Sequence, residues 1–209
     1  MDLSRPHMVL SPTLDGEAMR VLAGTTHPLT GREIARLAEQ GSQTGIALAL
    51  DRLVKQGLVL RQDVGAAALY TFNRLHLAAP AAEILAGLRS ELRRRIRGEI
   101  EAWKTQPVHA SLFGSAARGD GDTASDIDVL IVRPRPVDEE DPGWRDQVAR
   151  LSDQIYLWTG NHAAVIELGH DEVGELQRTQ PPIAASLRAD AVSLAGLSVE
   201  RLLQAEGAK

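Results

Sequence analysis

Two aspartates two residues apart, Asp126 and Asp128, stand in the run Ser125-Asp126-Ile127-Asp128-Val129-Leu130-Ile131-Val132. On an extended strand alternate side chains share a face, so both carboxylates would point one way while Ile127 and Val129 point the other. Carboxylates held that close repel unless a cation sits between them, and hard oxygen donors select Mg2+ or Mn2+. Just upstream, Val108 to Phe113 reads as a strand that runs into Gly114-Ser115-Ala116-Ala117-Arg118-Gly119. Gly114 lets the backbone approach a ligand without a Cβ, and Ser115 offers a hydroxyl and an N–H at a helix start. Arg118 adds a planar donor fork suited to phosphate. A phosphate cradle beside a divalent-metal site is the equipment for moving a nucleotidyl group.

The run Phe113 to Gly119, joined to Ser125-Asp126-Ile127-Asp128-Val129-Leu130, resembles the polymerase-β-type nucleotidyltransferase superfamily, particularly its minimal bacterial and archaeal members. The likeness extends over about residues 108–196, with the closely matching motif at 113–132. It implies Mg2+-dependent (or Mn2+-dependent) transfer of a nucleoside monophosphate from an NTP to an acceptor, with release of pyrophosphate. Gly114 and Ser115 would then hold the triphosphate tail, with Arg118 and Ser125 beside them, and Asp126 and Asp128 would bind the metal pair. Members of the superfamily carry a third carboxylate on a neighbouring strand. Ala163-Ala164-Val165-Ile166-Glu167-Leu168 is the only later strand-like run with an acid, so the resemblance implies Glu167 as third metal ligand and helper in deprotonating the acceptor. The acceptor is left open among a protein, an RNA end and a small molecule. Minimal members often act beside HEPN-type toxins, which makes a HEPN-type partner protein one implied acceptor. At this length the fingers and thumb of a templated polymerase are not expected.

The elements that would position these residues form an α+β chain in three parts. Residues 1–76 read as three short helices and a hairpin. Asp15 to Ala23 is apolar at helical spacing, and Thr30 stands three before Glu33 in capping-box order ahead of Ile34 and Leu37. A third helix opens at Ser42 or Gln43 with Ile46, Leu50 and Leu53 inward. Leu58 to Arg61 and Ala68 to Phe72 flank Asp63-Val64-Gly65 as a hairpin. That order resembles the winged helix-turn-helix of bacterial regulators, in which the third helix enters the major groove. Gln43, Thr44, Arg52 and Lys55, with Arg61 near the wing, are the candidate DNA contacts; the plainer alternative is a winged helix used for dimerisation or protein contact. Residues 77–105 read as one long linking helix, Pro80 to Trp103, whose apolar stripe (Ile84, Leu88, Leu92, Ile96, Ile100) must be covered by the catalytic unit or by a second copy in a homodimer. Residues 106–209 form the nucleotidyltransferase unit, a mixed sheet with helices. His109, His162 and His170 fall in it without metal-ligand spacing and are expected to be structural.

Composition narrows the classes. Of 209 residues, 44% are hydrophobic and 24% charged, ordinary for a globular protein. There is no cysteine, which excludes thiolate nucleophiles, disulfides and Cys-ligated zinc. Aromatics are 3%, too few for a base-stacking single-strand binder. No apolar run nears the ~20 residues that span a bilayer, and the first residues lack a leader pattern, so a cytoplasmic location without membrane contact is expected. The net charge of −5 is unevenly spread: +1 over residues 1–75, +2 over 76–105 and −8 over 106–209. The acidic part must therefore handle a polyanionic nucleotide through a metal and Arg118. A second functional class stays open, a winged-helix transcriptional regulator whose nucleotidyltransferase unit senses nucleotide or is inactive.

Overall fold

The computed structural model describes residues 1–179 and 181–204. The chain divides into two compact units, Arg5–Leu88 and a second built from Met1–Ser4 together with the chain from Arg89 onward. The division falls inside the 77–105 stretch.

In Arg5–Leu88, a single 3-10 turn (Pro6–Val9) precedes α1 (Leu14–Ala23), β1 (Leu29–Thr30), α2 (Gly31–Leu37), α3 (Gln43–Lys55), β2 (Val59–Val64), β3 (Ala67–Phe72) and α4 (Ala79–Ala86). Thr30 caps α2 reciprocally: its Oγ1 accepts from the Glu33 N–H at 3.3 Å, and the Glu33 carboxylate accepts from the Thr30 N–H at 2.8 Å. Ser42 caps α3 by accepting from the Gly45 N–H at 3.1 Å. The antiparallel sheet runs β1-β3-β2, and Leu22, Ile34, Ile46 and Leu50 close a core against Tyr70 and Phe72.

The expected single helix from Pro80 to Trp103 is two helices. α4 ends at Gly87, whose N–H is shared between the carbonyls of Glu83 and Ile84, and α5 runs Leu88–Glu101. Glycine is a poor helix interior residue, and the buried apolar residues before and after it belong to different cores. α4 buries Ala79 and Ala82 in the first core and leaves Ile84 exposed, whereas α5 buries Leu92, Ile96 and Ile100 in the second.

The second unit is built on a four-stranded mixed sheet of β4 (His109–Phe113), β5 (Ile127–Val132), β6 (Ala163–Leu168) and β7 (Val192–Gly196), in the order β6-β5-β4-β7. β5 and β6 are parallel, joined by the crossover helix α7 (Pro142–Thr159); β4 is antiparallel to both β5 and β7. One face carries Ala110, Leu112, Ile127, Val129 and Ile131 against α5 and against Trp144, Leu151 and Ile155 of α7. The other carries Phe113, Leu130 and Val132 against α8 (His170–Thr179), α9 (Pro182–Asp190) and α10 (Val199–Gln204). With both faces covered, β5 reads as a nearly continuous apolar run. Asp128 is the one charged residue in it. No helix among the described residues is long and apolar enough to cross a membrane.

Candidate active site

β4 leaves the sheet at Phe113, still extended, and Gly114 then turns the chain at φ +65° into α6 (Gly114–Arg118). A positive φ of this size is costly for any residue with a Cβ. Space enforces the same choice, because a Cβ on Gly114 would lie 2.3 Å from Oδ2 of Asp128. Asp128 stands opposite Phe113 in the antiparallel register, which brings its carboxylate against the turn. α6 closes at Gly119, whose N–H donates to the Ser115 carbonyl at 2.8 Å; the Asp120 N–H donates to the same oxygen at 3.1 Å.

Asp126 lies one residue before β5 and is exposed, so only Asp128 of the pair is on the strand itself. The two are electrostatically coupled all the same. Asp128 is half-buried, and its carboxyl is pushed above the ordinary range first by burial and then by the Asp126 charge; Arg118 works in the opposite sense and Asp190 in the same sense as Asp126. A carboxylate raised by a like-charged neighbour gains most from an added cation. The donor set suits a hard divalent ion, since Mg2+ is commonly held by one or two carboxylates together with waters and substrate phosphates. Among the described residues no group of three or more His, Asp or Glu side chains is arranged to hold an ion by itself. The remaining ligands would therefore come from nucleotide and water.

Arg118 is engaged by carboxylates. Its Nε donates to Asp120 at 3.0 Å and its Nη1 to Asp190 at 2.5 Å. Asp190 ends α9, is only 10% exposed, and also accepts from Ser186 Oγ at 3.3 Å. Ser115 is half-buried at the start of α6. Ser125, expected at the nucleotide, instead closes its own loop: its hydroxyl donates to Asp122 Oδ1 at 2.8 Å and accepts from the Asp122 N–H at 3.0 Å. The Ser125 hydroxyl and the Ala124 N–H together hold Asp122 below the ordinary carboxylate range.

Glu167 is not brought to the aspartates. In the parallel register Asp128 stands beside Ala164 and Ile131 beside Glu167, so Glu167 lies on the face that packs against α7. There it accepts from the indole Nε1–H of Trp144 at 2.6 Å, with Arg133 Nη1 at 3.9 Å. The expectation that Glu167 completes a carboxylate triad is corrected on that ground. The face of β6 next to Asp128 offers Ala164 and Ile166 instead. The third acid that the structure places near Asp128 is Asp190, 62 positions further along the chain and without any motif to mark it.

His109 and His162 have their partners elsewhere. Nδ1 of buried His109 lies 2.6 Å from the Leu197 carbonyl, and burial holds its imidazole below the ordinary range. His162 stacks on Tyr156 at 4.9 Å between centroids, and the side chain of His170 lies outside the described residues. In the Arg5–Leu88 unit, Gln43, Thr44 and Lys55 are exposed on α3. Arg52 is bound by Asp15 at 3.1 and 2.9 Å, and Arg61 by Asp63 at 3.0 and 2.9 Å.

A Gly-Ser turn pressed against an aspartate, with a second aspartate two residues before it, lies within the stretch that the comparison with protein families picks out. Residues 93–178 match the nucleotidyltransferase domain family. The matched stretch of the nucleotidyltransferase domain runs from α5 to the last turn of α8 and contains Gly114, Ser115, Arg118, Asp126 and Asp128; Asp190 lies beyond it. The match supports nucleotidyl transfer, in general terms, as the chemistry of this part of the chain. No curated protein matches the chain. Among solved structures, human N-acetylserotonin methyltransferase in complex with SAM aligns over 87% of this chain and 44% of that one, at 15% identity and a TM-score of 0.30. The chain thus spans less than half the length of that protein, and so slight a likeness carries no argument about fold or activity.

Proposed function

We propose that the nucleotidyltransferase domain moves a nucleoside monophosphate from an NTP to an acceptor nucleophile with release of pyrophosphate, using Mg2+ or Mn2+ at Asp126 and Asp128. The observation that carries this reading is the close approach of Asp128 to Gly114: it joins the place where a triphosphate tail would lie to the carboxylate pair that would hold its metal. When bound, the metal would neutralise charge on the triphosphate and on the leaving pyrophosphate. Gly114 and Ser115 line the turn toward the phosphates. Arg118, now shared between Asp120 and Asp190, has the fork geometry to exchange a carboxylate for a phosphate oxygen. The acceptor, be it a protein such as a HEPN-type partner, an RNA end or a small molecule, is what the experiment must reveal. The protein is incubated with α-labelled NTP, Mg2+ and cell extract, and the protein, RNA and small-molecule fractions are counted. The label enters one fraction with the wild type and none with Asp128→Ala; undiminished labelling by a folded Asp128→Ala overturns the reading.

The helix and hairpin order of Arg5–Leu88 supports a winged helix-turn-helix reading of that unit. Its DNA contacts would then be Gln43, Thr44 and Lys55, with Arg52 and Arg61 joining them on leaving Asp15 and Asp63. Gel shift against upstream DNA, with and without NTP and Mg2+, separates a regulator from an enzyme without operator binding.

A further inference from the structure

Asp126 sits outside the strand, and a residue there needs something other than the sheet ladder to hold its backbone in place. That support comes from the turn that leads into β6. Asn161 is 3% exposed, and its Nδ2 donates to two carbonyls, Asp122 at 3.0 Å and Ser125 at 2.8 Å. The next residue supplies the other anchor, because the His162 carbonyl accepts from the Ile127 N–H at 2.8 Å. Asp126 is thus fixed on both sides, through the Ser125 carbonyl before it and the Ile127 N–H after it. The Asn161 amide orientation follows from its partners: two carbonyl acceptors demand Nδ2, and the amine of Met1 donates to Oδ1. The Asn161 N–H in turn donates to Thr159 Oγ1 at 3.0 Å, which locks the turn itself.

We infer that Asn161 is a positioning residue for the metal site, setting the distance of the Asp126 carboxylate from Asp128 by clamping the Asp122–Ser125 loop. The inference rests on the proposed role of the two aspartates. A buried amide whose two N–H groups are both spent on one loop acts on that loop and on nothing else in the site. Freed from Asn161, the loop keeps its internal Ser125–Asp122 bonds and the Leu3 and Ser4 N–H bonds to the Gly121 carbonyl, but the Ser125 carbonyl loses its partner, so Asp126 is held from the Ile127 side alone and shifts relative to an Asp128 that the strand holds still. Partners hydrogen-bonded directly to metal ligands change metal affinity by about 10- to 100-fold when removed, and a clamp acting through the ligand's backbone is expected at the lower end of that range.

The test is Mn2+ binding by the full chain, read by electron paramagnetic resonance at saturating non-hydrolysable NTP analogue, with thermal denaturation of each variant. Asn161→Asp keeps the size of the side chain and an acceptor for Met1 but has no N–H for the two carbonyls; Asn161→Ala removes both. Each is expected to weaken Mn2+ binding by about tenfold or more, and high Mg2+ is expected to restore transfer, which a general loss of folding would not allow. Unchanged Mn2+ affinity in a folded Asn161→Asp overturns the positioning role and leaves the proposed function standing. A wild type that binds no Mn2+ overturns both. Should the variants fail to fold, the wild type still decides by NMR: the Asn161 side-chain amide protons are expected to be protected from exchange and to shift when Mg2+ and analogue are added. Free exchange or no shift overturns the inference.

Discussion

Replacing Gly114 by alanine tests the close approach on which the site depends. A built Cβ falls 2.3 Å from Asp128 Oδ2 and 3.2 Å from its Cγ, and real Cβ contacts stay above 3.0 Å, so the carboxylate must retreat by most of an ångström or the turn must open. Alanine at φ +65° adds backbone strain of roughly 1–2 kcal/mol. For a chain of this length that strain lowers the melting temperature by a few degrees, at about 2–4 °C per kcal/mol. The catalytic cost is larger, because misplacing a reacting constellation by about 1 Å costs on the order of 100-fold. Gly65→Ala separates the two effects: Gly65 has φ +60° with nothing within 4 Å of a built Cβ, so it carries strain without a clash. The assay is label transfer from α-labelled NTP under saturating Mg2+, beside thermal melts. Gly114→Ala should lose about two orders of magnitude in transfer for a small loss of stability, while Gly65→Ala loses stability alone. A Gly114→Ala enzyme within twofold of wild type would refute the claim that Asp128 works pressed against this turn.

Other consequences concern the acids and the arginines of the first unit. Because burial and Asp126 raise the Asp128 carboxyl above its ordinary 3.8, the protonated form is the one folding favours. Stability from this group is full below 3.8 and is lost as pH rises through the raised value, so in metal-free buffer Asp128→Asn should melt higher than wild type near neutral pH and flatten that part of the pH profile. An Asn variant no more stable than wild type would contradict it. Glu167→Ala should leave the Trp144 indole N–H unpaired at a cost of about 1–3 kcal/mol while the folded fraction still transfers label; a loss of transfer matching Asp128→Ala would return Glu167 to the site. With Arg52 and Arg61 held by carboxylates, duplex DNA binding by the chain should depend weakly on salt, with a log–log slope near about −1; a slope several times steeper would show that those arginines leave Asp15 and Asp63 for phosphate.

Local order was legible in the sequence where it was written in adjacent residues. Thr30 and Glu33 cap α2 at the spacing that identifies them, and the Phe113-Gly114-Ser115 run forms a strand, a left-handed turn and a helix start. The face of Glu167 was not legible, because it depends on the pairing of β6 with β5. With Ala164 beside Asp128, odd positions of β6 turn toward α7, and a slip of one residue would have turned them the other way. The break at Gly87 was hidden by apolar periodicity that continues through it although the two halves serve different cores. Asn161 and Asp190 reach the site from 35 and 62 positions beyond Asp126 and Asp128 respectively, through contacts that no local pattern encodes.

Paired incubations with α-labelled and γ-labelled NTP test nucleotidyl transfer at the Asp126 and Asp128 pair. The acceptor is expected to take label from the α position alone, γ label to leave in pyrophosphate, and Asp128→Ala to abolish both signals. Label passing to the acceptor from the γ position, or transfer undiminished in a folded Asp128→Ala, would contradict it.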